Sequence, residues 1–527
     1  MTKQENKMTR MNKILAIAAM AAATCGGVFA DNTEQVNEAI KVFDGEAAAN
    51  MRGGTWKVVY SSAEGPEGRA LQVLTERIGA YVLREGYLST VFVLPLEKDG
   101  WEKVETKRDM IVIGMPEKNA TLKALLGDKA VPKGGYVIKT LHVNGRNIVL
   151  LAGDSPEAVL WATFDFLDVV AHDLERQIER SHAVRYAGTF FRAKKIPAFE
   201  CVREPETLVR SVFSWGQVID DMQTFFRSMA RARFNRAIIW NDQFVVNARD
   251  VVEAAHSWGI KVYWGCSWGW TLSGKDPKDF DLKKLEDEVV AEWRNKWRLM
   301  GGDGIYLQSF TETSNAKIGG RSIPEAATEL VNNVARRIKA EAPGADIVFG
   351  LHSNSMRRKG AAEAVAKVDP SIEILWENCG GFPFWECDAK GRARPDIRLC
   401  DKALANNARV GFAWKAQIRM DWRNYVSPAG PFMLGCAGKK VHARDIDVTE
   451  ARLVSYDEEW FANGRVAWEL IRHLRAGDKK PCEFNAVVEQ VSSYAYATQC
   501  QAELFWSSKD GWEEIARRAR ARARPEW

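Results

Sequence analysis

Residues 236–266 read RAIIWNDQFVVNARDVVEAAHSWGIKVYWGC, and this stretch decides the fold. Arg236–Trp240 and Lys261–Cys266 are short apolar runs of β-branched and aromatic residues, the composition of buried strands. Ala248–Trp258 between them carries apolar residues at helical spacing. A strand, an amphipathic helix and a second strand in about thirty residues make a parallel βαβ unit, since an antiparallel pair needs only a tight turn.

The same alternation extends outward on both sides. Apolar strands recur at Leu208–Phe213, Gly304–Phe310, Asp346–Leu351, Ile372–Trp376 and Val410–Trp414. Amphipathic segments fill most of the intervals: Ile219–Arg233, Leu282–Met300, Ile323–Ala342, Gly360–Val368 and Ile397–Asn407. Seven strands at spacings of roughly 25 to 45 residues predict an α/β fold, a (β/α)8 TIM-type barrel over 195–445 whose eighth strand is irregular. A doubly wound open sheet is the competing architecture. Residues 446–527 read as a helical carboxyl-terminal segment.

Ahead of the barrel, 31–190 read as a small α/β accessory domain. Thr55–Tyr60 is a strand, Gly68–Glu85 an amphipathic helix and Met110–Gly114 a second buried strand. Gly135–Leu141 and Asn147–Ala152 flank Asn144-Gly145, a hairpin signature. Ser155-Pro156-Glu157 starts a helix through Asp168, with Ser as N-cap and Pro at the first helical position. Arg192–Pro205 reads as the linker to the barrel. The domain has no glycine-rich phosphate loop and is expected to carry no polar pocket of its own. No cofactor is expected.

At 527 residues, 46% apolar and 27% charged, the chain can bury a large core in more than one domain. Its net charge of +5 is concentrated at the ends: Lys3, Lys7, Arg10 and Lys13 at one, Arg517, Arg518, Arg520, Arg522 and Arg524 at the other. The slightly acidic body between them argues against a nucleic-acid surface, and the basic tail reads as a frayed helix end. Residues 1–30 pair those first cations with the apolar run Ile14–Ala23 and end Val28-Phe29-Ala30, the pattern of a secretory signal peptide. Export to a periplasmic or extracellular location follows; a lipoprotein route through Cys25 fits less well, with Thr24 in place of the small residue. No other apolar run reaches membrane-spanning length, so no stable membrane insertion is expected. Nine cysteines without a closely spaced pair and seven histidines without HxH or HExxH make a metal centre unexpected. The Cys379, Cys387 and Cys400 group can hold a disulfide, but isolated buried thiols are the simpler reading. The sequence leaves the oligomeric state open.

In such a barrel the reactive groups come from the carboxyl ends of the strands and the loops after them. The second strand ends Trp240-Asn241-Asp242, the third Trp264-Gly265-Cys266-Ser267-Trp268 and the fourth Gln308-Ser309-Phe310-Thr311-Glu312. The fifth gives His352-Ser353-Asn354, the sixth Trp376-Glu377-Asn378, and the seventh Trp414-Lys415 followed by Gln417, Arg419 and Asp421. One mouth thus gathers carboxylates, cations, amides and indoles. That mixture suits a carbohydrate: indoles stack on apolar ring faces while Asn, Gln, Asp and His satisfy hydroxyls that would otherwise lose water without replacement.

Cleaving a glycosidic bond then needs two carboxyl groups, one to protonate the leaving oxygen and one as nucleophile or base. Glu312 and Glu377, two strands apart on one rim, are the candidates, and apolar Phe310 beside Glu312 favours the protonated form of a general acid. A strand-end carboxylate is about as often a helix N-cap or ion-pair partner, and Asp242 is open to both readings. His352 and Asn354 are hydrogen-bond candidates for substrate, with a structural role open for His352. Lys415 and Arg419 suit an anionic sugar group, or pair with Glu377 or Asp421. Trp268 and Trp385, on loops, are stacking candidates, whereas Trp240, Trp264 and Trp376 read as core.

Gly135–Asp168, with Asn144-Gly145-Arg146-Asn147-Ile148-Val149 and Ala152-Gly153-Asp154-Ser155-Pro156-Glu157-Ala158-Val159-Leu160, resembles the accessory α/β domain of bacterial α-glucuronidases and β-hexosaminidases. The barrel is most similar to the α-glucuronidase group. That resemblance implies a glycosidase with Glu312, at the end of Asp303-Gly304-Ile305-Tyr306-Leu307-Gln308-Ser309-Phe310-Thr311-Glu312, as catalytic acid. Thr311 stands where hexosaminidases carry an aspartate, and Glu377 and Asp421 occupy the region of the α-glucuronidase base carboxylates. The expected activity is hydrolysis of a poly- or oligosaccharide, with inversion favoured by the separation of strands four and six. A catalytically inactive carbohydrate-binding barrel is the alternative.

Overall fold

The computed structural model describes residues 56–83, 96–99, 108–178, 189–214, 218–219, 221–240, 244–267, 280–308, 316–352, 359–377, 407, 409–414, 433–434, 443–476, 481–487 and 495–523. The chain divides into two compact units, Met1–Arg203 and Glu204–Glu526.

In the first unit, apolar strands build one six-stranded mixed sheet. Leu96–Lys98, Lys57–Tyr60, Met110–Gly114 and Arg146–Gly153 run parallel in that spatial order. Tyr136–Val143 then joins antiparallel to Arg146–Gly153 through the Asn144-Gly145 turn. Both turn residues have positive φ, 52° and 76°, the conformation that a two-residue hairpin matched to strand twist requires. Ser155 caps the helix Pro156–Asp165 by accepting from the Ala158 amide at 3.3 Å, as the sequence predicts. Val59, Val112, Val137 and Leu150 are completely buried on one sheet face under the helix Ala120–Leu126. Part of the expected linker is structured: Phe199–Arg203 is the sixth strand, antiparallel to Tyr136–Thr140.

In the second unit, Val209–Ser214, Arg236–Trp240, Lys261–Ser267, Gly304–Gln308, Asp346–His352, Glu373–Glu377, Val410–Trp414 and Glu483–Val487 form a closed, all-parallel barrel in chain order. The eighth strand closes it by pairing with the first, Glu483 beside Val209 through Val487 beside Phe213. This corrects the boundary at 445: the last barrel strand lies inside the segment read as purely helical. The 34-residue helix Ala443–Ala476 precedes it.

Alternate residues point inward, where Phe213, Ile238, Trp240, Tyr263, Tyr306, Val348, Leu375 and Ala413 pack together. The barrel is therefore filled rather than hollow. Trp264 and Trp376 occupy the opposite, helix-covered face and are buried, as expected of core indoles; Trp264 Nε1 donates to the Gly301 carbonyl at 2.8 Å. Trp240 is also core, on the inner face.

The amino end of the barrel is closed by charge. Arg236 donates to both oxygens of Glu373, at 2.9 and 3.2 Å, and pairs with Glu483, which also accepts from Ser211. Arg409 links Glu373, at 2.9 Å, to Asp346, which accepts from Tyr263 at 2.6 Å. Burial alone would raise the Asp346 pKa, but these hydrogen bonds hold it below the ordinary carboxylate value. Burial, then the neighbouring Glu373, pushes the Cys482 thiol up to about 12, so this cysteine stays protonated. Cys482 and Cys500 are free thiols.

Among the described residues the arginine-rich end is helical and packed rather than frayed. Trp512–Arg522 is a helix in which Arg518 and Arg522 are buried. Together with Arg233 they surround the completely buried Glu503 of the preceding helix, Tyr496–Ser507. Arg210 and Arg233 also lie over the Trp506 ring, at 4.7 and 5.0 Å from its centre.

One surface pair gives a pH signature. His256 Nε2 lies 2.9 Å from Asp303. The Asp303 hydrogen bond raises the His256 pKa; Asp303 is pushed up by burial but held below its ordinary value by His256 and the Val262 amide. The histidine's contribution to stability is fully present below its unfolded pKa of about 6.5 and is lost as pH rises through the higher folded value. The difference in Tm between wild type and His256→Ala should therefore be full below about pH 6.5 and shrink as pH rises through the raised folded value. A constant difference across that rise would contradict the pairing.

Candidate active site

Glu377 ends the sixth strand, and its side chain follows Glu373 and Leu375 on the inner face. It is 1% exposed. The amide of Gln308, the last residue of the fourth strand, donates Nε2–H to Glu377 Oε2 at 2.7 Å. Tyr306, two residues earlier on the same inner face, is also completely buried, its ring edge-on to Phe213 with centres 4.9 Å apart.

Residues from the fourth and sixth strands meet because the fifth has no side chain between them. Gly350 lies beside Gln308 in the register. A Cβ there would collide with the Tyr306 hydroxyl and lie 2.6 Å from Glu377 Oε1. A glycine inside a strand is a mark of such close approach. His352, two residues on and inward again, pairs in register with Glu377 and is buried.

Of the residues read from the sequence as site candidates, the structure describes Glu377 and His352 and places them side by side at the carboxyl end of the barrel. Glu312, Asp242, Trp268, Asn354, Trp385, Lys415, Arg419 and Asp421 lie outside the described residues. Tyr306 and Gln308 were missed as site residues. Their signal was present: both fall on the inward alternation of Gly304–Gln308, opposite a glycine interrupting the apolar strand Asp346–His352. No group of three or more His, Cys, Asp or Glu with metal-binding geometry occurs among the described residues. No described helix is long and apolar enough to cross a membrane.

The chemistry open to this arrangement is that of an oriented carboxylate. One oxygen of Glu377 is fixed by an amide donor, while the filled barrel below leaves the carboxyl end as the face for a substrate.

Comparison with known proteins agrees with that architecture. Residues 94–166 match the family model for the glycosyl hydrolase family 67 N-terminus. No curated protein matches the chain. Among solved structures, the glycoside hydrolase CpGH84D superposes with a TM-score of 0.50 at 9% identity, over 88% of this chain and 68% of that one. A GH138 enzyme targeting pectin rhamnogalacturonan II gives 0.49 at 8% identity, over 87% and 64%. A GH115 4-O-methyl-α-glucuronidase, BtGH115A, with specificity for decorated arabinogalactans, gives 0.44 at 13%, over 88% and 58%. The amino-terminal domain thus carries the family 67 N-terminal pattern that the sequence suggests, followed by a barrel with the fold found in CpGH84D.

Proposed function

We propose that the protein is an exported glycoside hydrolase that cleaves a poly- or oligosaccharide at the carboxyl end of its barrel. Glu377 acts as the ionised carboxylate and Glu312, following the fourth strand, as the acid that protonates the leaving oxygen. The observation carrying this reading is the inward Glu377 carboxylate at the end of the sixth strand, oriented by Gln308. The family 67 match of the amino-terminal domain supports the substrate class. His352, Asn354 and Asp242 bind sugar hydroxyls, Trp268 and Trp385 stack on ring faces, and Lys415, Arg419 and Asp421 contact charged or polar substituents. Strand five stands between the two glutamates, which favours the wider carboxyl separation of inverting enzymes, roughly 6.5 to 9.5 Å.

A library of uronic-acid, hexosamine and neutral-sugar oligosaccharides, incubated with wild type and Glu377→Gln, tests the activity. Release of sugar from at least one class by wild type alone is expected. Binding by calorimetry without product from any class would identify an inactive carbohydrate-binding barrel instead.

Export makes a separate prediction. Expressed with its leader in a Gram-negative host, the mature protein should leave the cytoplasm and begin at Asp31. Retention of Met1 on cytoplasmic protein would contradict a cleaved signal peptide.

A further inference from the structure

We infer that Tyr306 and Gln308 are the positioning residues of the Glu377 carboxylate, holding one oxygen each through the opening that Gly350 leaves in the fifth strand. The inference rests on the reading of Glu377 as the ionised group of the site. Gln308 already donates to Oε2 at 2.7 Å. The Tyr306 hydroxyl, completely buried, makes no hydrogen bond to a described residue. It borders the same point beside Gly350 Cα as Glu377 Oε1: a Cβ built there would lie 2.6 Å from that oxygen and collide with the hydroxyl. A buried hydroxyl left without an acceptor is destabilising, and the Glu377 carboxylate is the acceptor that borders the same opening. Phe213 and Trp240 pack against the Tyr306 ring and keep the hydroxyl pointed at that opening.

Two donors on a buried carboxylate favour its charged form. They suit a base or nucleophile and oppose a general acid, which divides the roles of Glu377 and Glu312 without reference to their separation. The other titratable and charged groups on this side among the described residues are His352 on the fifth strand and, below Leu375, the network of Arg236, Glu373, Glu483, Arg409, Asp346 and Tyr263.

The test uses the full mature chain labelled with carboxyl-13C glutamate, the Glu377 resonance being identified by its loss in Glu377→Gln. Tyr306→Phe and Gln308→Met preserve shape and remove one donor each. Both should raise the midpoint of the Glu377 titration by about one pH unit, and in an active enzyme raise the acid limb of the kcat/KM profile with it. An unchanged midpoint in both folded variants would overturn the inference even if Glu377→Gln is inactive. A raised midpoint in a protein that hydrolyses no glycoside would uphold the positioning and overturn the proposed function alone.

Discussion

Glu377→Gln should lose hydrolysis of natural oligosaccharides and of activated aryl glycosides alike, by about 10³-fold or more in kcat, because the ionised carboxylate is needed whatever the leaving group. The amide keeps the size of the side chain, so the filled barrel interior beneath should stay intact. Glu312→Gln should behave differently. Protonation matters most for a poor leaving group, so natural substrates should lose roughly 10²- to 10⁴-fold while an activated aryl glycoside loses much less. Steady-state kinetics on both substrates separates the roles. Equal losses for Glu312→Gln on the two would remove it as the acid, and full activity in Glu377→Gln would remove the proposed base.

The second large effect is on stability. Glu503 is the buried carboxylate shared by Arg233, Arg518 and Arg522. Glu503→Gln takes this counter-charge from the buried Arg233 and Arg522, while Arg518 keeps Asp510 and Glu514, and breaking a buried pair in this way costs about 3–5 kcal/mol. Thermal unfolding should begin several degrees lower, and deletion of 512–527 should be more damaging still, since it also uncovers the apolar face of Tyr496–Ser507. A Tm for Glu503→Gln within one degree of wild type would show that these arginines are solvated rather than locked.

The same residues show why parts of the fold were legible and others were not. Arg236–Trp240 and Val410–Trp414 are strands with the bounds that the sequence predicts, because each is a compact apolar run. For the fourth strand the sequence predicts Gly304–Phe310, because Phe310 continues the apolar pattern, and the described strand is Gly304–Gln308. The eighth strand was hidden by its first residue: Glu483 faces inward to Arg236, so a charge sits where alternation calls for an apolar side chain. The arginine tail was misread because charge counts in a sequence do not reveal partners, and Glu503 lies in the preceding helix.

In the site, Glu377 was readable as a carboxylate at a strand end. Its supports were not: Gln308 reads as one of several amides at the strand ends, and Tyr306 as an ordinary member of a buried strand. Their meeting with Glu377 depends on the register across Gly350, a three-strand relation that no local pattern encodes.

Proton NMR of the first cleavage product tests the central claim most directly, because it requires hydrolysis and reports how the two carboxyl groups share it. With an oligosaccharide from the active class, the reducing-end anomeric proton released by wild type should appear first in the configuration opposite to the substrate linkage, and no such signal should appear with Glu377→Gln. A first product that retains the substrate's configuration would contradict the wide pairing of Glu312 with Glu377, and a signal undiminished in Glu377→Gln would contradict the site itself.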